Sequence, residues 1–203
     1  MGTRGTLHIY VNGELKIRQY NQWDSYPTGQ FQGICEYFRE NRDGLKNLAY
    51  RLINSRFTTK EEVQMMFFDD KRLENLIQDN QIHTLTNRDI GSDILHLLSG
   101  MPLPFDGLVV PDWMLVHEET FPEGEDPMKV RLPREEGNYV IEIECEIDDR
   151  DRISHRKYLK PDTDVRFRLS GEFWEVERSY DWMYVPTDEE IKEWEEEAMK
   201  RGD

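Results

Sequence analysis

Thr6-Leu7-His8-Ile9-Tyr10-Val11-Asn12-Gly13-Glu14-Leu15-Lys16-Ile17-Arg18-Gln19-Tyr20 reads as two strands around a tight turn. Residues 6–11 and 15–20 alternate apolar and polar with period two, and Asn-Gly between such runs is the strongest short hairpin signal. The register carries a conflict. A two-residue turn sets Ile9 opposite Lys16 and mixes the faces. A three-residue connection pairs Val11 with Leu15, Ile9 with Ile17 and Leu7 with Gln19, and keeps one face apolar. Burial normally decides register, so a bulge or a longer loop is expected. His8, Tyr10, Lys16, Arg18 and Tyr20 are then expected on the opposite face.

The clearest further strand is Tyr139 to Ile147. Tyr139, Ile141, Ile143, Cys145 and Ile147 point one way, and Glu142, Glu144 and Glu146 the other. Val165, Phe167 and Leu169 alternate with Arg166 and Arg168, so neighbouring strands could set glutamates against arginines. Trp174 and Val176 are assigned to one more strand. Gly107 to His117 is apolar and extended, with Pro111 demoting its centre to an edge or bulge.

Between these strands the period changes. Phe31, Ile34, Cys35 and Phe38 form a helical stripe, as do Leu45, Leu48, Ala49, Leu52 and Ile53. Thr58 and Thr59 precede Glu61 and Glu62 at capping-box spacing, opening a helix with Val63, Met66 and Phe67 on one side. Leu73, Leu76 and Ile77 give a short apolar turn, and Asp89 to Leu98 a helix ended by Gly100 and Pro102. Thr187 and Glu190 form a second capping box before Ile191, Trp194 and Ala198. The sum is an α+β fold: one or more antiparallel sheets with packed helices, with an αββα-like sandwich as the candidate arrangement. Residues 1–203 are read as a single domain. An exposed acidic loop is expected over 118–137 and an acidic C-terminal helix over 187–203.

Composition bounds the function. The 203 residues include 42 acidic and 26 basic side chains, a net charge of −16. That field repels phosphates and anionic membrane surfaces, so neither direct nucleic-acid binding nor membrane binding is expected. It also admits mimicry of DNA by carboxylates, against the simpler account of solubility. Aromatics make up 11%, too many for a disordered chain. Cys35 and Cys145 are too few and too far apart for a disulfide scaffold, and no signal or membrane-spanning stretch appears. A cytoplasmic location follows. His8, His83, His96, His117 and His155 lack metal spacing, and Asp148-Asp149-Arg150-Asp151 reads as a solvated turn. No catalytic residue, cofactor or metal is assigned.

Tyr20 to Gly33 is the segment with functional character. It leaves a strand, enters a helix, and places Tyr20, Trp23 and Tyr26 among amides, a carboxylate and hydroxyls. Turn chemistry accounts for Asp24, Pro27 and Gly29, but not for the aromatic spacing. The candidate binding residues are Tyr20, Gln22, Trp23, Asp24, Ser25 and Tyr26, with Arg88 and Asp89 of the Asn87–Gly91 segment placed against them. The turn is expected at one end of the sheet, lining a concave site.

Met1-Gly2-Thr3-Arg4-Gly5, the hairpin, and then Gln22-Trp23-Asp24-Ser25-Tyr26-Pro27-Thr28-Gly29 together resemble a family of largely uncharacterised proteins of phages and bacteria. The likeness covers residues 1–33 and extends loosely to Thr86–Gly91 and the strand at Tyr139. It implies a phage or bacterial origin and brings no established activity. A second likeness is to the N-terminal-nucleophile hydrolases, whose fold also opens with a strand and hairpin. Their chemistry needs a nucleophile as the first residue. Loss of Met1 leaves Gly2, so Thr3 or Thr6 could serve only after a further cleavage. Three functions are therefore carried. The first is a non-catalytic binding protein, a phage accessory or anti-defence factor acting on a host protein or small ligand in the host cytoplasm. The second is a hydrolase of the N-terminal-nucleophile kind, with Asp24 and Ser25 near the site. The third is an acidic DNA mimic.

Overall fold

A computed structural model describes residues 3–21, 23–57, 82–85, 91–101, 106–109, 136–148 and 157–202. The chain runs through β1 (Gly5–Val11), β2 (Glu14–Asn21), α1 (Gln32–Glu40), α2 (Leu45–Ile53), β3 (Ser55–Phe57), β4 (Ile82–Leu85), α3 (Asp93–Gly100) and β5 (Asp106–Val109). It continues through β6 (Gly137–Glu144), β7 (Ile147–Asp148), β8 (Tyr158–Leu159), β9 (Arg166–Phe173), β10 (Val176–Ser179) and α4 (Asp188–Gly202).

The opening hairpin resolves its register conflict with a bulge and keeps the short turn. Asn12 (φ 51°) and Gly13 (φ 78°) close a two-residue turn, the left-handed pair that Asn-Gly supplies cheaply. Val11 therefore pairs with Glu14 and Tyr10 with Leu15, and a bulge then restores Ile9 opposite Ile17 and Leu7 opposite Gln19. The expected Val11–Leu15 pair is thus corrected, and Leu15 stands half-buried across from Tyr10. Lys16 is the extra residue. It turns inward, donating from Nζ to the Ser55 carbonyl at 3.3 Å and pairing with Glu14 at 2.7 Å.

Five strands form the main sheet in the order β10-β9-β6-β1-β2. Three of its pairs are antiparallel, while β1 and β6 run parallel, so the sheet is mixed rather than wholly antiparallel. β3, β5 and β4 make a smaller parallel sheet, and β7 and β8 a ribbon. The run from Tyr139 to Ile147 is not one strand. β6 stops at Glu144 because the Asn12 side chain takes both main-chain groups of Cys145, donating to its carbonyl at 2.9 Å and accepting its N–H at 3.0 Å. Glu142 faces Arg168 and Glu144 faces Arg166 across the ladder, as the alternation predicts. Trp182 lies over both guanidinium groups at 5.0 and 5.2 Å.

Leu7, Ile9, Tyr139, Ile141, Phe167 and Leu169 leave the sheet on one face, and the helices cover them. Phe38 of α1 stacks on Phe167 at 4.2 Å, and Trp194 of α4 meets Tyr139 edge-on at 6.1 Å. The predicted stripes of α1, α2 and α4 are all buried. The second capping box is formed: Thr187 Oγ1 accepts the Glu190 N–H at 3.2 Å, and the Glu190 carboxylate accepts the Thr187 N–H at 2.7 Å. α3 begins at Asp93 rather than Asp89, because Gly91 sits at φ 58° and interrupts the helical path. The predicted helix after Thr58, the turn at Leu73–Ile77 and most of the 118–137 loop lie outside the described residues.

Candidate functional site at one end of the sheet

Asn21, Gly5, Gly137, Phe173 and Val176 form the last row of the five strands. The turn that follows β2 folds back over this row. Gly5 and Gly137 make that possible by close approach: a Cβ at Gly5 would lie 2.6 Å from the Gly137 carbonyl oxygen and 2.7 Å from Ser25 Cβ. One at Gly137 would lie 2.6 Å from the Ser25 carbonyl oxygen. Ser25 is fully buried in this seam.

Hydrogen bonds fix the turn from several elements. Ser25 N–H donates to the Thr3 carbonyl at 3.3 Å, and the Tyr139 hydroxyl donates to the Ser25 carbonyl at 2.7 Å. Burial, with the Glu195 carboxylate adding to it, pushes the Tyr139 phenol well above its ordinary pKa, so it stays a donor. Asn21 Nδ2 donates to the Trp23 carbonyl and to Gln30 Oε1, which also accepts from Ser25 Oγ at 3.1 Å. Gln30 Nε2 is buried and finds no partner among the described residues. Pro27–Phe31 then make a single π-helical turn ahead of α1. Glu195 of α4 accepts from both the N–H and the hydroxyl of Thr28, at 2.8 and 2.6 Å. Phe31 is packed among Tyr139, Tyr180 and Trp194 at ring distances of 5.2–6.0 Å.

Against this rigid backbone one side chain stands out. Trp23 is 56% exposed. Asp24 beside it is exposed and held at φ 55°. Tyr26 is half-buried, its ring 5.8 Å from Phe173, and Tyr20 is half-buried opposite Thr6. Trp23, Asp24, Ser25 and Tyr26 therefore share one end of the sheet. Ser25 is a structural peg rather than a presented group. Gln22, Arg88 and Asp89 lie outside the described residues. Gly91, the last residue of the Asn87–Gly91 segment, does lie here: a Cβ on it would be 3.6 Å from Asn21 Nδ2 and 3.9 Å from the Gln30 carboxamide carbon.

Sequence reasoning missed Trp174 and Glu175. They are not in a strand, as expected, but form the two-residue turn between β9 and β10 at φ 44° and 64°. Phe-Trp-Glu-Val gives no turn signal, so only the structure reveals them. Trp174 stacks on Phe173 at 5.2 Å, and its backbone N–H donates to the Glu136 carbonyl at 3.0 Å. That places Trp174 at the same end as Tyr26.

A second polar group occupies the sheet face away from the helices. Asn138 Oδ1 lies 3.1 Å from Thr6 Oγ1 and 2.9 Å from His8 Nδ1. Burial, reinforced by Arg18 across the ladder, lowers the His8 pKa to about 4, so the imidazole is neutral at pH 7. Thr3 and Thr6, the residues a nucleophile reading would use, are both buried, and Thr6 is committed to Asn138. Among the described residues no group of His, Cys, Asp or Glu could hold a metal ion, and no helix is long and apolar enough to cross a membrane. No known protein family, curated protein or solved structure matches this chain.

Proposed function

We propose that this chain is a non-catalytic binding protein that presents Trp23, flanked by Asp24 and Tyr26, to a macromolecular partner. The observation that carries this reading is the contrast between side chain and backbone at one residue. Trp23 is 56% exposed, while its own carbonyl accepts from the Asn21 side chain and the two residues after it, Asp24 and Ser25, are hydrogen-bonded to Gln30, Thr3 and Tyr139. A large aromatic held rigid before binding loses little freedom on association, which is why tryptophan dominates interface energetics. The motifs of residues 1–33 support a phage or bacterial setting, in which the partner is a host component.

The alternatives draw less support. A hydrolase of the N-terminal-nucleophile kind needs a free amine at Thr3, whose residue is buried and whose carbonyl accepts the Ser25 N–H. Intact mass tests it: a mature chain beginning at Thr3 would favour it. As for DNA mimicry, the regularly spaced Glu142, Glu144 and Glu146 are neutralised by Arg168, Arg166 and Lys160. Paired carboxylates make poor phosphate surrogates.

The test is capture of partners by the immobilised full chain from a lysate of the cells in which it acts. Proteins retained by wild type and lost with Trp23→Ala support the proposal. Retention that is unchanged in a folded Trp23→Ala protein overturns it.

A further inference from the structure

The two hairpins of the main sheet are built at opposite cost. The β1–β2 turn uses Asn12-Gly13, the pair that adopts positive φ most readily. The β9–β10 turn needs the same left-handed backbone and fills it with tryptophan and glutamate, at φ 44° and 64°. A bulky side chain there is a genuine outlier. Strain of this kind persists where the displayed side chain has a use. Asp24, a further non-glycine residue at positive φ, lies at the same end.

The chemistry displayed there is specific. Trp23, Tyr26 and Trp174 are all at least partly exposed. Asp24 and Glu175 are exposed, and Glu136 is half-buried with its carboxylate accepting the Arg4 backbone N–H at 3.1 Å. Aromatic faces rimmed by carboxylates attract cations, guanidinium above all, since it stacks and pairs at once. The chain's net charge of −16 steers such a partner in and repels anionic ones.

Size selects among cationic partners. From β2 to β9 the end row crosses three strand spacings, about 14 Å. A small cation touches one aromatic, whereas an extended segment of about five residues reaches along the row. We propose that the sheet end bearing Trp23, Tyr26 and Trp174 is a docking surface for an extended, arginine-bearing segment of a partner protein. This rests on the binding reading above and names its partner chemistry.

The probe is a peptide of alternating arginine and glycine, about eight residues long, titrated into the ¹⁵N-labelled full chain. Trp23→Phe and Trp174→Phe assign the two indole N–H signals. Both indoles are expected to shift with one dissociation constant, and the affinity to fall steeply with salt. The double substitution Trp174→Asn, Glu175→Gly gives this turn the favoured residues, so it should leave the chain folded and weaken peptide binding at least about tenfold. Equal shifts with a glutamine–glycine peptide, shifts confined to α4, or a double variant that binds as wild type would each overturn the proposal. If the peptide fails while Trp23→Ala still abolishes lysate capture, the cationic partner class falls and the binding function stands.

Discussion

Gly5→Ala probes the seam on which the candidate site is built. The new methyl would meet the Gly137 carbonyl oxygen at 2.6 Å, Ser25 Cβ at 2.7 Å and Ser25 Oγ at 2.9 Å. None of these is the far end of a flexible side chain. One belongs to a paired strand and the others to a buried serine whose carbonyl and N–H are both bonded. Relief requires the strands or the turn to move apart, so the cost sits at the upper end of the overpacking range, about 3 kcal/mol. With a urea slope of about 2 kcal/mol/M, the midpoint falls by roughly 1.5 M. Two controls separate crowding from backbone effects. Gly13→Ala meets no atom within 4 Å but sits at φ 78°, so it should cost about 1 kcal/mol. Gly100→Ala meets nothing and has no such φ, so it should stay within about 0.5 kcal/mol of wild type. Equilibrium urea unfolding of all three gives the order directly. A Gly5→Ala protein within about 0.5 kcal/mol of wild type would refute the close seam.

His8 makes stability depend on acid. Its native pKa of about 4 lies below the ordinary 6.5, so the unfolded chain takes up the proton first. The contribution is whole above pH 6.5 and is lost as pH falls toward 4, by about 3 kcal/mol in all. Unfolding measured across that window should show this slope, and His8→Gln should remove it; an unchanged slope would be wrong for the account. Thr187→Ala deletes the formed capping box and should cost about 1 kcal/mol. It should do so without changing partner capture, since the cap lies away from the Trp23 turn; thermal unfolding and the capture assay read the two effects.

The sequence carried the described helices and most of the described strands because their burial follows a simple period. Phe31, Ile34 and Phe38 must share a helix face, and Tyr139, Ile141 and Ile143 a strand face, whatever packs on them. The hairpin conflict was visible too, and a bulge was one of its two solutions. The parallel joining of β1 and β6 was not legible, since pairing between residues some 130 positions apart leaves no local mark. The break at Cys145 was hidden for the same reason: it is made by Asn12, far away in sequence. At the site, Trp23 and Tyr26 announced themselves by aromatic spacing in a turn. Ser25 looked like a presented hydroxyl, yet the glycines at 5 and 137 draw it fully inside. Trp174 was unreadable because strand-like residues occupy a left-handed turn, against their own preference.

The central claim is that Trp23 serves binding rather than folding, and measuring both properties on one variant tests it. Trp23→Ala should unfold within about 1 kcal/mol of wild type, because the 56% exposed ring contributes little to the core. Partner capture should fall at least about tenfold, as for the loss of an interface anchor. A variant that binds as wild type, or one that loses binding only because it no longer folds, would contradict the account.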